Sequence, residues 1–285
     1  MTALLALNMV LLPAMSLARP GAVAAADAAD TAAGADSTAQ AATTTDPSNP
    51  QSPVPKTPLQ GMVEHSASVA PVPLQLMPGG KFDEASMPKV IPGNYWYPVP
   101  AWMAGTWQFK TETVTFLRTF TKQHYPPVPF TLKNEFQKVI GMQKDKSGQV
   151  WDYVKAPYSY TAKLNDGLIA YVNETSIEIV RCTETEVVRK LVGQDSVVDP
   201  TSQEIMLTNQ KECFNRHTRL GEDALHIDGS TKIFDMNGNP TVLKFSNMLA
   251  MRTKPFEVID EKDGQNLKQM FGDFLKAQGK ADLVP

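Results

Sequence analysis

Two histidines flank a predicted hairpin turn and are spaced so that they could bind one metal ion. Gly221 and Glu222 fit a two-residue turn with Gly first, and counting outward from that turn pairs His217 with His226. Directly opposed residues have Cβ atoms about 5 Å apart, so the two imidazoles could share a metal ion, with Glu222 or Cys213 nearby. The simpler alternative is that both histidines lie on an exposed hairpin face without a metal.

The two cysteines of the chain, Cys182 and Cys213, could form a disulfide. An even number of cysteines in an exported protein predicts a bridge, and two cysteines allow a single pairing. Two buried thiols, or two thiols too far apart to bond, are the alternatives. Neither cysteine belongs to a Cys-x-x-Cys redox motif.

No catalytic motif accompanies these residues. The chain contains no Gly-x-Ser-x-Gly elbow, no His-Glu-x-x-His helix, no P-loop and no dinucleotide fingerprint. Because β-barrel enzymes can carry scattered catalytic residues, the question of an enzyme stays open.

Aromatic residues are the candidates for lining a ligand cavity. On strand alternation alone, five are expected to point into the interior: Trp107, Phe109, Trp151, Tyr153 and Phe245. A ligand cavity in a β-barrel is lined by such side chains with a few polar groups, and a packed core has the same composition. The sequence leaves both interpretations open.

The elements that must position these residues are short strands within residues 95–260. Runs rich in β-branched and aromatic residues cover residues 105–117, 136–142, 149–154, 158–164, 168–173, 176–191, 204–220, 223–227 and 241–251. Asn-Asp-Gly at residues 165–167 is a strong hairpin signal, and residues 228–229 and 237–240 predict further turns. This spacing predicts an all-β domain built as an antiparallel meander β-barrel.

One α-helix is predicted in the C-terminal segment, residues 261–285. Apolar residues recur there at i, i+3, i+4, i+7 and i+8, at Leu267, Met270, Phe271, Phe274 and Leu275. Asp263 is expected to cap the helix and Gly279 to follow its last turn. We expect the apolar face to pack on the sheet, and the alternative is a helix that binds a partner protein.

The N-terminal third predicts export. Residues 1–18 are uncharged with an apolar centre, and small residues at positions 22–26 fit a signal-peptidase site, so residues 1–26 read as a signal peptide. An uncleaved membrane anchor is the alternative. Residues 27–94 are rich in Ala, Thr, Ser and Pro and are predicted to form a disordered linker, because they bury too little apolar surface to offset their ordering entropy. We expect a periplasmic or secreted protein.

Composition argues against nucleic-acid binding and against a membrane-spanning helix after the signal. The net charge is −3 and no run of Lys and Arg is present, which argues against nucleic acid. After the signal, no stretch reaches the roughly 18 apolar residues of a membrane-spanning helix.

The segment from Ala101 to Trp107 resembles a known family opening. Its Gly105-Thr106-Trp107 is similar to the Gly-x-Trp signature of lipocalins and related calycin barrels. In that setting Gly105 would allow a tight start to the first strand, and Trp107 would close the barrel floor as an apolar plug.

A branch of that superfamily, the haem-binding nitrobindin-like barrels, is also similar at residues 102–107 and 246–255. The branch takes its iron ligand from a His in the closing strand. No His follows Pro255 here, which argues against haem, and we predict no cofactor.

These observations predict an exported lipocalin-like protein that binds a small apolar molecule inside a barrel. The competing hypothesis is a non-catalytic interaction protein of the cell envelope, whose contacts come from the N-terminal linker or the C-terminal helix. A lesser alternative is a barrel enzyme acting on a lipid or pigment.

Overall fold

A computed structural model describes residues 64–87, 96–122, 125–154, 158–164 and 167–285. The predicted signal peptide and most of the predicted linker lie outside these residues. The strands of the described part are β1 (Trp96–Val99), β2 (Gly105–Thr119), β3 (Phe130–Ile140), β4 (Gln143–Lys144), β5 (Val150–Tyr153), β6 (Tyr158–Lys163), β7 (Ile169–Cys182), β8 (Glu186–Val198), β9 (Ile205–Arg219), β10 (Ala224–Phe234), β11 (Pro240–Lys254), β12 (Glu261–Lys262) and β13 (Gln265–Asn266). The helix α1 spans Leu267–Ala277, and single 3₁₀ turns occupy Leu74–Leu76, Glu84–Ser86, Ala101–Met103 and Ala281–Leu283.

Eight strands form one strongly curled antiparallel sheet with the order β3-β2-β11-β10-β9-β8-β7-β6. The all-β prediction with a C-terminal helix is confirmed, but the sheet is a half-barrel, since β3 and β6 end it without pairing. The chain between these two edge strands leaves the sheet and forms β4 and β5, which join β1 in a second, three-stranded sheet. The barrel is therefore open where this segment departs.

The curl brings distant strands face to face. Lys138 on β3 and Arg189 on β8 are five strands apart in the sheet, about 24 Å if the sheet were flat. Both side chains nevertheless lie on the concave face, because Lys138 pairs with Trp107 and Arg189 lies two residues from Val187 on β8, and Trp107 and Val187 are buried in one cluster there.

The concave face is apolar at one end and covered there by the small sheet. Val99 and Val150 of the small sheet pack against Trp107, Leu225 and Ile227 of the large one in a single buried cluster. The other face of the small sheet carries Trp96 and Trp151, which pack against α1. The domain thus has three layers: half-barrel, small sheet and helix.

Gly105 begins β2 where only glycine fits. Its φ of +135° is unusual for a side chain-bearing residue, and a Cβ there would lie 2.7 Å from the Lys254 carbonyl oxygen. This close approach lets β11 run beside β2, and it places Trp107 fully buried in the concave face.

The helix packs as predicted, with different capping. Leu267, Phe271 and Leu275 are buried, each contributing about 1.5–3 kcal/mol. The N-cap is Asn266, whose side chain accepts a hydrogen bond from the Gln269 N–H, because residues up to 266 are used by the β12–β13 hairpin. Gly279 follows the helix with φ +71° as expected.

Two local predictions were wrong. The single strand predicted over residues 176–191 is two strands, β7 and β8, because Thr183 Oγ1 accepts the N–H of Glu186 and closes a turn there. The turn predicted at Asp228-Gly229 lies within β10, where a Cβ on Gly229 would come within 3.1 Å of Ser246 Oγ. Gly229 therefore leaves room for the Ser246 side chain of the neighbouring strand and does not form a turn.

Residues 64–87, which fall within the predicted linker, lie along the convex face, and we call them the arm. The Val72 N–H donates to the Met236 carbonyl at 2.9 Å, and the Gly79 N–H donates to the Ile205 carbonyl at 2.8 Å. Leu76 is buried against Ile205 and neighbouring apolar side chains. In the residues that the structure describes, no helix is both long and apolar enough to cross a membrane.

Candidate ligand site in the concave face

Arg189 is a cation buried inside the half-barrel. It lies in the middle of β8, pairs with Asn215 in the sheet and is 5% exposed. Its Nη2 lies 2.9 Å from His217 Nε2, and its Nη1 donates to Tyr97 Oη at 3.4 Å. Among the described residues its Nε has no hydrogen-bond partner and no carboxylate lies within ion-pair distance. A buried charge without a counter-ion is costly, so this guanidinium is set up to receive an anion.

Tyr97 and Asp152 support Arg189 from the small sheet. The two residues are directly paired across β1 and β5. Tyr97 Oη donates to Asp152 Oδ2 at 2.6 Å, and the Gly141 N–H donates to Asp152 Oδ1 at 3.0 Å. Burial, reinforced by the Asp152 carboxylate, raises the pKa of Tyr97 far above its usual range, so the phenol keeps its proton. Both Asp152 oxygens therefore have hydrogen-bond donors, and Asp152 reaches Arg189 only through the Tyr97 hydroxyl.

We call Arg189, Tyr97, Asp152, His217 and Lys138 the concave cluster, and His217 is its neutral imidazole. It is 3% exposed, and burial, followed by the charges of Arg189 and Lys138, lowers its pKa well below 6.5. Because Nε2 accepts from Arg189, the hydrogen-bond network assigns the proton to Nδ1. Nδ1 makes no hydrogen bond of good geometry, although the Val187 and Asn215 backbones are near enough to affect its pKa. His217 holds the guanidinium in place without adding charge.

Lys138 completes the cluster at the edge strand β3. It is half-buried and pairs across the sheet with Trp107. Burial, then the charge of Arg189, lowers its pKa to about 7. In the part of the chain that the structure describes, it forms no ion pair. About half of the amine is therefore neutral near pH 7, beside a fixed guanidinium charge.

The other concave lysines are paired. Lys211 Nζ lies 2.9 Å from Asp195, and Lys244 Nζ lies 2.7 Å from Glu112. Burial opposes the charge of Lys211, but the Asp195 carboxylate outweighs burial and raises the pKa of Lys211. These pairs need no further partner, which singles out Arg189 and Lys138.

An apolar wall adjoins the cations. Trp107 is fully buried, with its Nε1 donating to the Met103 carbonyl at 2.9 Å. Phe109 stacks on Phe136 with ring centroids 4.3 Å apart. The concave face thus combines aromatic side chains with a buried cation that has no direct carboxylate partner among the described residues, a combination that suits an amphipathic anion.

The predicted cavity residues divide among three places. Trp107 and Phe109 lie on the concave face beside the cluster. Trp151 and Tyr153 face α1, in the cluster on the other side of the small sheet. Phe245 lies on the convex face, stacked on Phe116 at 4.9 Å, because its neighbours Lys244 and Ser246 point inward.

The structure does not bring His217 and His226 together. The sheet register pairs Arg219 with Leu225, so His217 pairs with Ile227 and not with His226. A shift of one residue turns a side chain to the other face, and His226 accordingly lies on the convex side near Asp228. Among the described residues no group of three His, Cys, Asp or Glu side chains could hold a metal ion.

Cys182 and Cys213 are free thiols that lie far apart. Cys182 pairs with Val187 and Cys213 with Leu191 on opposite sides of β8, about 13 Å apart along that strand. A disulfide needs Cα atoms within about 7 Å, so these positions do not allow a bridge without a rearrangement of the sheet. Burial raises the pKa of the Cys213 thiol.

A second polar cluster fixes the arm to the convex face. His65 Nε2 lies 2.7 Å from Ser230 Oγ, and His65 Nδ1 lies 3.5 Å from Glu212 Oε2. The order of contacts is that of a Ser-His-Glu triad, but Nδ1 makes no hydrogen bond of good geometry and Ser230 is buried. Glu212 instead accepts two hydrogen bonds from Ser66, so the cluster anchors the arm.

Sequence reasoning missed Arg189, Lys138, Tyr97 and Asp152. No motif joins them, since they come from four strands that meet only in the folded chain. One signal was present: Val187, Arg189 and Leu191 alternate on one face of β8, which places a charge where apolar residues are expected.

Comparison of the chain with models of known protein families, with curated protein sequences and with solved structures gave no match. What the structure establishes is an antiparallel β half-barrel that is compatible with a calycin-like fold.

Proposed function

We propose that this is an exported, lipocalin-like binding protein whose concave face holds a small molecule with an apolar body and a carboxylate end. The observation that supports this proposal most directly is Arg189, a buried guanidinium with an unpartnered Nε and no carboxylate beside it. The apolar ligand expected from sequence thereby gains an anionic end group.

The carboxylate would accept hydrogen bonds from Arg189, while Tyr97 and His217 hold the guanidinium from its other nitrogen atoms. The apolar body would lie against Phe136, the partly buried ring that stacks on Phe109. The ligand would enter between the unpaired edges of β3 and β6, where Lys138 is half-buried.

Burial of the apolar body would drive binding, and the charge-assisted hydrogen bond would provide selectivity. Hydrogen bonds to charged groups contribute about 1.5–3 kcal/mol, so an acid should bind roughly 10- to 100-fold more tightly than its neutral ester.

The test is calorimetric titration of the purified full chain with a medium-chain fatty acid and with its methyl ester. We expect the acid to bind more tightly, and Arg189→Met to abolish the difference while leaving weak binding of both. Arg216→Met is the matched control, because Arg216 lies on the convex face in an ion pair with Asp228. Equal affinities for acid and ester, or an unchanged preference in Arg189→Met, would overturn the proposal.

The structure offers less support to the competing interaction protein. The apolar face of α1 is buried within the domain, and the described arm is bound to the convex face of the same chain. The apolar face of α1 and the described residues 64–87 of the linker are thus engaged in intramolecular contacts.

A further inference from the structure

Lys138 differs from the other lysines of the concave face in being accessible and unpaired. Its side chain is half-buried on the edge strand β3, whereas Lys211 and Lys244 are buried and bonded to Asp195 and Glu112. Among described residues it has neither a hydrogen bond nor an ion pair. An amine in this position is free to react with a molecule that enters the half-barrel.

Burial, followed by the charge of Arg189, leaves much of Lys138 neutral near physiological pH. Arg189 and Lys262 oppose its protonation, while Asp152 and Glu174 favour it. Burial is the largest influence, and together they lower its pKa to about 7. A neutral amine carries the lone pair that attacks a carbonyl carbon, as in enzymes that form Schiff bases.

We propose that Lys138 binds its ligand covalently and reversibly, as an imine with an aldehyde that also carries a carboxylate. This inference rests on the proposed function, because Arg189 would hold the carboxylate and so bring the carbonyl carbon to Lys138. The Nζ lone pair attacks the carbonyl carbon to give a carbinolamine; loss of water then forms the C=N bond. The step is a condensation that releases one water molecule and needs no oxidant or reductant.

The probe is para-carboxybenzaldehyde, added to the full chain at pH 7.5 and trapped with sodium cyanoborohydride. Peptide mapping should find Lys138 to be the labelled lysine, modified at least about tenfold faster than other lysines, because ordinary lysines are almost fully protonated at this pH. Label on the α-amino group, whose ordinary pKa is about 8, is counted separately. Lys138→Arg should lose the adduct and Lys133→Arg, an exposed control on the same strand, should keep it.

A second comparison separates this inference from the proposed function. Benzaldehyde lacks the carboxylate, so its labelling reports only the reactivity of Lys138, which falls somewhat in Arg189→Met because the Arg189 charge helps to lower the Lys138 pKa. Arg189→Met should slow labelling by the carboxylated probe about tenfold or more beyond its effect on labelling by benzaldehyde. If the fatty acid binds in an Arg189-dependent manner but label spreads evenly over the lysines, the imine is refuted and the proposed function stands. If Lys138 is labelled equally by both probes in both proteins, the amine is reactive but Arg189 does not recruit the carboxylate, and the inference fails as stated.

Discussion

Arg189 Nη2 lies 2.9 Å from the Nε2 of a neutral His217, and both side chains are almost fully buried. A guanidinium in such a place normally has a carboxylate partner, which pairs the charge and fills its fork of donors. Here the histidine and Tyr97 take the outer nitrogens and leave Nε open. The free protein therefore carries an electrostatic cost that a bound anion would remove.

The first prediction concerns this cost. Replacing Arg189 and His217 together by Met and Leu should raise the free energy of unfolding by about 1–3 kcal/mol, because an uncompensated charge and its polar partner become apolar. Urea denaturation of the ligand-free protein measures the change. Arg189→Met alone should raise the free energy of unfolding by less than the double change, because it leaves His217 Nε2 without its hydrogen-bond donor. A large loss of stability in the double variant would show that the cluster holds the fold together.

The strand pattern was predictable because its signals are local. The β-branched composition of the strands, the turn residues and the helical face of residues 267–275 each depend on a few neighbouring residues. The register in which neighbouring strands pair was harder to predict from the sequence. The loop between β9 and β10 closes through the Leu220 N–H to the Ala224 carbonyl, so the two-residue turn expected at Gly221-Glu222 was wrong by one residue. His217 and His226, predicted to share a face, therefore lie on opposite faces of the sheet.

The candidate site could not be predicted because it depends on the curl of the sheet. Lys138 and Arg189 are five strands apart, and Tyr97 and Asp152 belong to a second sheet. The sequence shows each as an isolated polar residue in a strand. Only the folded half-barrel brings the four together.

A second prediction contrasts a paired cation with Arg189. Glu112→Gln leaves Lys244 buried without its carboxylate and should lower the free energy of unfolding by about 3–5 kcal/mol. Replacing both residues by Met and Leu should recover most of that loss, since neither charge then remains. Glu186→Gln is the control: its pair with Arg181 is partly exposed, and its loss should change stability less, by about 1 kcal/mol in urea denaturation. Equal effects of Glu112→Gln and Glu186→Gln would contradict the contrast.

A third prediction concerns the arm and acid. Burial lowers the pKa of His65 below 6.5, although Glu212 partly offsets this, and Lys190 and Lys232 add to the lowering. Glu212 also has a lowered pKa: burial opposes this, but the hydrogen bonds from Ser66 outweigh it. Both groups bind protons more readily when the arm is released, so docking is favoured above these pKa values and weakens as the pH falls below about 6.5.

Limited proteolysis between pH 7.5 and 5 measures this weakening, with a protease active across that range. Cleavage within residues 64–87 should accelerate as the pH falls, and His65→Gln should make it less dependent on pH. Lys81→Ala, which removes an exposed hydrogen bond to the Ser202 carbonyl, serves as the control and should keep the pH dependence. A cleavage rate that is independent of pH in the unaltered protein would refute the pH-dependent release of the arm.

The last prediction tests the close approach that begins the half-barrel. Gly105→Ala should lower the free energy of unfolding by about 2–4 kcal/mol, because the new methyl group would lie 2.7 Å from the Lys254 carbonyl oxygen and a φ of +135° strains any residue with a side chain. Gly221→Ala is the matched control. A Cβ at Gly221 meets nothing within 4 Å, so the change should leave stability unaltered or raise it by about 0.4–1 kcal/mol through the unfolded chain. Because β2 and β11 separate when Lys254 is displaced, Gly105→Ala should also expose Trp107, which a red shift of its fluorescence would report. Equal stabilities of the two variants would show that the β2–β11 contact at Gly105 tolerates a side chain.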